Sequence, residues 1–176
     1  PVYGLNQLPD FFNPFPAGFD QELAFVKLIS DQYLKRTLTI NLRDHYWIRA
    51  GIQLYLLQEY VARHYPNQKL LGSISRWPIV RWSKLSDLDF NAQYRLIYLN
   101  GVRNNVHQSL GTSKDRLINF NAKISNEYLA GVHMNLLDQY LGKDTLKQRL
   151  KRLWSHNKRM INPDTFERIL SDGQED

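Results

Sequence analysis

A mainly α-helical fold is predicted here from three observations. Apolar residues recur at spacings of three and four over most of the chain, helix caps and breakers fall at the ends of those runs, and β-favouring stretches are short. With 176 residues, 43% of them hydrophobic, the chain has enough apolar side chain for a real core, and a single domain over residues 1–176 is the expectation. Aromatic residues at 12%, with only 9 Gly and 7 Pro, set it apart from disordered, collagen-like and low-complexity sequences.

Residues 1–19 combine prolines and glycines with five aromatics and show no helical period. They read as an extended, packed opening segment in which Phe11, Phe12, Phe15 and Phe19 anchor to a core. Asp20 is placed to cap a first helix over about 20–36, where Leu23, Val26, Leu28, Ile29, Tyr33 and Leu34 keep near-helical spacing. TLTIN (37–41) is a β-favouring connector. Asp44 is placed to cap a second helix that runs to His64 and stops before Pro66. That helix is apolar around most of its circumference, from Trp47 and Ile48 through Tyr60 and Val61. Only a narrow seam of Arg49, Gln53, Glu59 and Arg63 is polar, so the helix belongs at the centre of a core. Residues 67–90, with Trp77 before Pro78 and Trp82 beyond, read as loop. Helical patterns follow at about 91–109, 114–140 and 144–157, with Gly111 and Gly142 as breaks. Asn162 before Pro163 is an N-cap with proline at the first helical position, opening a last helix through Leu170.

The net charge of +6 is local. Residues 143–159 hold seven Lys or Arg against one Asp, and an acidic tail follows. Within that stretch Leu146, Leu150, Leu153 and Trp154 share one helical face, so Lys147, Arg149, Lys151 and Arg152 are expected to point outward as a solvated face. A basic module that binds nucleic acid is the weaker alternative. The absence of cysteine excludes disulfides, thiolate zinc sites and cysteine nucleophiles, and leaves the compartment open. No run of 18 apolar residues occurs, so no helical membrane span is expected. The chain opens at Pro1 with neither a signal-peptide pattern nor a methionine. The expectation is a processed product or a piece of a longer chain, whose other domains would be partners.

The catalytic inventory is thin. The histidines at 45, 64, 107, 133 and 156 include no pair at the i, i+4 spacing that puts two imidazoles on one helical face around a metal. No G-x-S-x-G elbow, P-loop or G-x-G-x-x-G occurs. His133, beside Met134, reads as a surface or partly buried histidine.

Three stretches carry more information. WIRAG (47–51) follows KLISD (27–31), with 18 residues between Asp31 and Ala50, and EYLAGVHMNLLDQYLG (127–142) forms a later helix ending in Leu-Gly. This layout resembles the aminopeptidase N-like zinc metallopeptidases, a gluzincin family, in a divergent bacterial branch. In that family an H-E-x-x-H helix supplies two zinc ligands and the general base. The third ligand, a Glu, lies on the next helix in a stretch like W-L-N-E-G. The resemblance places Lys27 and Asp31 at the histidine positions, Leu28 at the base position and Ala50 at the third-ligand position. Gln32 and Tyr33 stand where the family often has Gln-Trp. Tyr128 and Gly131 match a Y-x-K-G stretch whose tyrosine stabilises the tetrahedral intermediate, with Ala130 in place of the lysine. The resemblance implies the helical part of a thermolysin-like or aminopeptidase-like catalytic domain, and a secreted, periplasmic or cell-envelope setting.

The implied chemistry is lost at each matching position. A catalytic zinc needs three protein ligands and an open fourth position. A protonated lysine and an alanine offer no lone pair, one carboxylate cannot hold the ion, and Leu28 cannot take a proton from water. No cofactor is therefore expected. The expected function is a degenerate peptidase-like domain with a peptide-binding, protein-binding or structural role, in which Tyr128 lines a surviving substrate groove. The alternative is an active metallopeptidase whose ligands lie outside this segment. Lys27 and Asp31, four apart, are expected to form a pair that substitutes for the metal.

Overall fold

The computed structural model describes residues 13–155 and 160–171, so Phe11 and Phe12 and the expected helix end at 157 lie outside the described residues. The fold is mainly helical, as the sequence predicts. Its helices are α1 (Phe19–Thr37), α2 (Tyr46–His64), α3 (Pro78–Arg81), α4 (Ala92–Arg103), α5 (Asn119–Lys123), α6 (Ala130–Leu141), α7 (Lys143–Ser155) and α8 (Pro163–Ser171). A π-helical turn over Ile124–Leu129 joins α5 to α6. Among the described residues, β pairing consists of two isolated bridges, Ile40 with Ile161 and Lys69 with Asp89.

Several boundaries differ from the sequence reading, each for a local reason. Asp20 lies inside α1, whose first turn is closed by the Gly18 carbonyl accepting from the Glu22 N–H at 2.9 Å. The Asp20 carboxylate instead accepts from Asn13 Nδ2 at 3.0 Å. Asp44 is likewise not the cap of α2; it accepts from Asn41 Nδ2 at 2.9 Å, and α2 starts at Tyr46. The helix expected over 91–109 stops at Arg103, because Asn105 takes a left-handed φ of 57°. There the Val106 N–H returns to the Gly101 carbonyl and the Asn105 N–H to that of Val102, a Schellman-type stop. The segment 67–90 is not plain loop but holds α3 between 3-10 turns at Gly72–Arg76 and Lys84–Asp87. The cap of α8 is as expected, with Asn162 Oδ1 accepting from the Thr165 N–H at 2.8 Å.

The chain divides into two compact units. The first takes residues up to Ile29 and Leu57–Gln93. Its centre is aromatic: Phe19 is fully buried, stacks on Phe15 at 5.3 Å, and meets Phe90 and Tyr65 edge-on at 5.0 and 4.8 Å. Such pairs are worth about 0.5–1.5 kcal/mol each beyond their burial, so Phe15 and Phe19 do anchor a core. Gly72, at φ 54°, lets its turn sit against the Pro14 backbone, where the Ser73 N–H donates to the Pro14 carbonyl at 2.7 Å.

The second unit takes Ser30–Leu56 and residues from Tyr94 onward. Leu34 and Leu38 of the first segment, Ile48, Ile52 and Tyr55 of α2, Leu146, Leu150 and Leu153 of α7, and Phe166 and Leu170 of α8 form its core. The apolar face expected on α7 is therefore the buried one. Its basic face is only partly solvated, because Arg149 turns in and donates from Nη1 to the Leu170 carbonyl near the end of α8. A guanidinium is well suited to that place, where helix carbonyls lack partners and the dipole is negative.

Candidate functional site

In the second unit α2 and α6 approach almost backbone to backbone, and small residues make this possible. A Cβ at Gly51 would stand 2.8 Å from the Ala130 Cβ, and one at Gly131 would stand 2.6 Å from a Leu54 methyl carbon. Beside this contact lies a cavity of about 130 Å³, lined by apolar surface from α2 (Trp47, Ile48, Gly51), α6 (Ala130, His133, Leu137) and α8 (Phe166). Trp47 and Phe166 meet edge to face across 5.8 Å. The cavity is comparable in size to the ~150 Å³ apolar cavity that accommodates benzene. Chemically it can take one aliphatic or aromatic group, since it offers no polar partner.

The structure thus brings together Trp47, Gly51 and Ala130, the positions picked out on the two stretches of the sequence. His133 is exposed and lines the same cavity, while Ala50, beside Gly51 on α2, is 1% exposed and offers only a methyl group. Phe166, Leu170 and Leu110 complete the wall. For these the sequence carried only the i, i+4 spacing of the α8 pair. Lys27 is half-buried on α1, and Leu28 is 58% exposed.

Asp31 is held by two cations that spacing did not single out. Lys35 Nζ lies 2.6 Å from its carboxylate, and the largely buried Arg49 guanidinium 3.8 Å from it. Arg49 also stacks over the Tyr46 ring at 5.2 Å. A zinc ion does not fit this set of residues. The Asp31 carboxylate, at a position that the resemblance matches to a ligand, is already engaged by two cations, one of them adjacent in sequence to Ala50, and a divalent cation placed there would meet repulsion and a methyl group where it needs lone pairs. Among the described residues no group of three or more His, Asp or Glu side chains is placed to hold a metal.

Comparison with protein-family models, curated proteins and solved structures finds no match for this chain.

Tyr128 lies in the π-helical turn and is 3% exposed. Its ring packs edge-on against Tyr94 at 5.1 Å, with Lys123 Nζ 5.6 Å from the ring centre. Burial, with the nearby Glu127 charge, pushes its phenol up to about 12. Burial likewise raises the Tyr94 phenol, helped by Tyr128 and Glu127. Both phenols are therefore neutral at physiological pH and remain hydrogen-bond donors. Around the turn, Asn121 donates to the Val106 carbonyl at 2.5 Å and to Gln108 at 3.0 Å. π-Helical turns recur at functional sites; this one sets the register in which Ala130 and Gly131 face α2.

Further along α6, Asp138 is 1% exposed and accepts from the buried Tyr55 hydroxyl at 3.0 Å, while its second oxygen has no partner among the described residues. This pair ties α2 to α6 one turn beyond the cavity.

Proposed function

We propose that this chain is a catalytically degenerate, aminopeptidase-like domain that holds a peptide or protein segment by an apolar side chain instead of cleaving it. One observation supports the reading: the stretches resembling the family's third-ligand and tyrosine motifs meet at Gly51 and Ala130 and border an apolar cavity. Ala50 and Ala130 stand where the family has Glu and Lys, and each substitution replaces a polar reach with a methyl group. The result is a site that gains free energy by burying carbon.

Magnitude limits what the cavity does alone. Burying one Leu- or Phe-sized side chain is worth about 1.5–3 kcal/mol, short of the roughly 4 kcal/mol of a millimolar complex. Measurable affinity needs main-chain contacts along the flanking helices as well. The test is ¹H–¹⁵N NMR of the labelled chain titrated with Ala-Leu-Ala amide and, separately, Ala-Ser-Ala amide. The expected result is shifts at Gly51, Ala130 and His133 with the leucine peptide, weaker on the order of tenfold with serine, and abolished in Leu110→Trp, which plugs the cavity from its loop side. Equal response to both peptides, no response at those residues, or peptide hydrolysis overturns the reading.

A further inference from the structure

The first unit carries a second surface that the peptide-binding reading does not use. Between Gly72 and Asp87 the chain makes a 3-10 turn, α3 and another 3-10 turn, and α3 buries none of its residues. Its large apolar side chains are turned out instead: Trp77 is 56% exposed, Ile79 80%, Trp82 93% and Leu85 48%. Arg76, Arg81 and Lys84 alternate with them and are exposed as well. None of these three cations makes an ion pair with a described residue. From Gly72 to Asp87 the sequence has one acidic residue, Asp87, against three cations.

We infer that this segment docks on the surface of an anionic lipid bilayer. Two tryptophans with an isoleucine and a leucine, all exposed on one short segment, match the preference of indole rings for the headgroup level and of aliphatic groups for the acyl boundary. The interleaved Arg and Lys side chains place charge at the height of lipid phosphates while their stems cover apolar surface. Three exposed cations against one exposed acid, Asp87, leave the segment net positive, which complements a negatively charged surface. A single-stranded nucleic acid would use the tryptophans and cations, but not Ile79, which has no π-face for a base to stack on and is 80% exposed. Among the described residues no helix is long and apolar enough to cross a membrane.

The test is sedimentation of the full 176-residue chain with phosphatidylcholine vesicles containing 30% phosphatidylserine, against pure phosphatidylcholine vesicles and a U-rich RNA oligonucleotide. Binding to the anionic vesicles, weakening as salt rises, is expected. The variant Arg76→Glu/Arg81→Glu/Lys84→Glu is expected to lower the partition coefficient on the order of a hundredfold, from about fivefold or more per cation. Trp82→Ser is expected to lower it on the order of tenfold, with an unchanged circular dichroism spectrum because the side chain is already in solvent. Brominated acyl chains are expected to quench the tryptophan emission of the wild type more than that of Trp82→Ser. No partition into anionic vesicles, equal partition into neutral ones, indifference to both variants, or binding to the RNA in place of vesicles overturns the proposal.

Discussion

Replacing Gly51 with alanine tests the contact on which the candidate site is built. A Cβ at this position would lie 2.8 Å from the Ala130 Cβ and 3.1 Å from the Ala130 carbonyl carbon, against an optimum of about 3.5–4.0 Å for carbon pairs. Relief requires α2 and α6 to separate by roughly 1 Å, and the Gly131 to Leu54 approach on the same pair of helices resists it. Overpacking of this kind costs about 1–3 kcal/mol, and backbone involvement puts it at the upper end. The exchange also gains about 1 kcal/mol, because glycine inside a helix is a poor former. The net expectation is a loss of about 2 kcal/mol, or a Tm lower by roughly 4–8 °C for a chain of this length. Thermal and urea unfolding followed by far-ultraviolet circular dichroism measure it. Ala130→Gly in the same background removes the opposing methyl and is expected to restore about 1–2 kcal/mol as a coupling between the two sites. A Gly51→Ala variant as stable as the wild type, or more stable by the helix-propensity gain alone, refutes the close packing and with it the shape of the cavity.

Other substitutions probe the polar features. Tyr55→Phe leaves the buried Asp138 carboxyl without its hydroxyl donor and is expected to cost about 1–3 kcal/mol, while Asp138→Asn keeps an acceptor for Tyr55 and is expected to cost less; chemical denaturation of the pair distinguishes them. Asp31→Ala strands the largely buried Arg49 guanidinium and is expected to destabilise by about 1–3 kcal/mol, with a change smaller than the error of a urea titration counting against an enclosed pair. In the first unit, hydrogen bonds from Tyr65 at 2.5 Å and Tyr60 at 3.0 Å hold the Glu22 carboxyl below its ordinary value. A lowered folded value means stability that is present above the ordinary carboxylate range and is lost as pH falls through the folded value, so Glu22→Gln is expected to flatten the acid limb of Tm against pH. The same bond pushes the Tyr65 phenol up to about 12, so its contribution is present below the ordinary tyrosine value and is lost as pH rises through about 12, a step readable by absorbance at 295 nm.

The helices with a strong apolar period were legible in the sequence. The packing face of α7 emerges as read, because its apolar stripe has a single way to be buried; α2 lies in the core as read, although Arg49 and Gln53 of its polar seam are buried too, and the Asn162–Pro163 start of α8 is specified by neighbouring residues alone. What escaped the reading depends on contacts distant in sequence or on backbone states that residue type only permits. Asn105 ends α4 by adopting a left-handed conformation that asparagine tolerates but does not demand. The π-helical turn is set among buried polar side chains, Asn121 and Ser125, whose partners at 106–108 come from another segment. For the candidate site, Trp47, Gly51 and Ala130 stood out only through the resemblance of their stretches to a family's motifs. The pairing of Asp31 with Arg49 and the closing of the cavity by Phe166 needed the tertiary packing, since nothing local to either residue encodes it. Arg149, read as solvent-facing from its place on a basic face, turns inward because the end of α8 presents an acceptor within its reach.

The central claim, that the metal chemistry of the resembled family is absent from this scaffold, is tested most directly by metal analysis. After zinc challenge and exhaustive dialysis of the full chain, inductively coupled plasma mass spectrometry is expected to find zinc far below one equivalent, because the positions that the resemblance matches to the family's ligands hold Lys27, Asp31 and Ala50, and Asp31 is engaged by Lys35 and Arg49. One equivalent of retained zinc, released only by a strong chelator, would contradict the account.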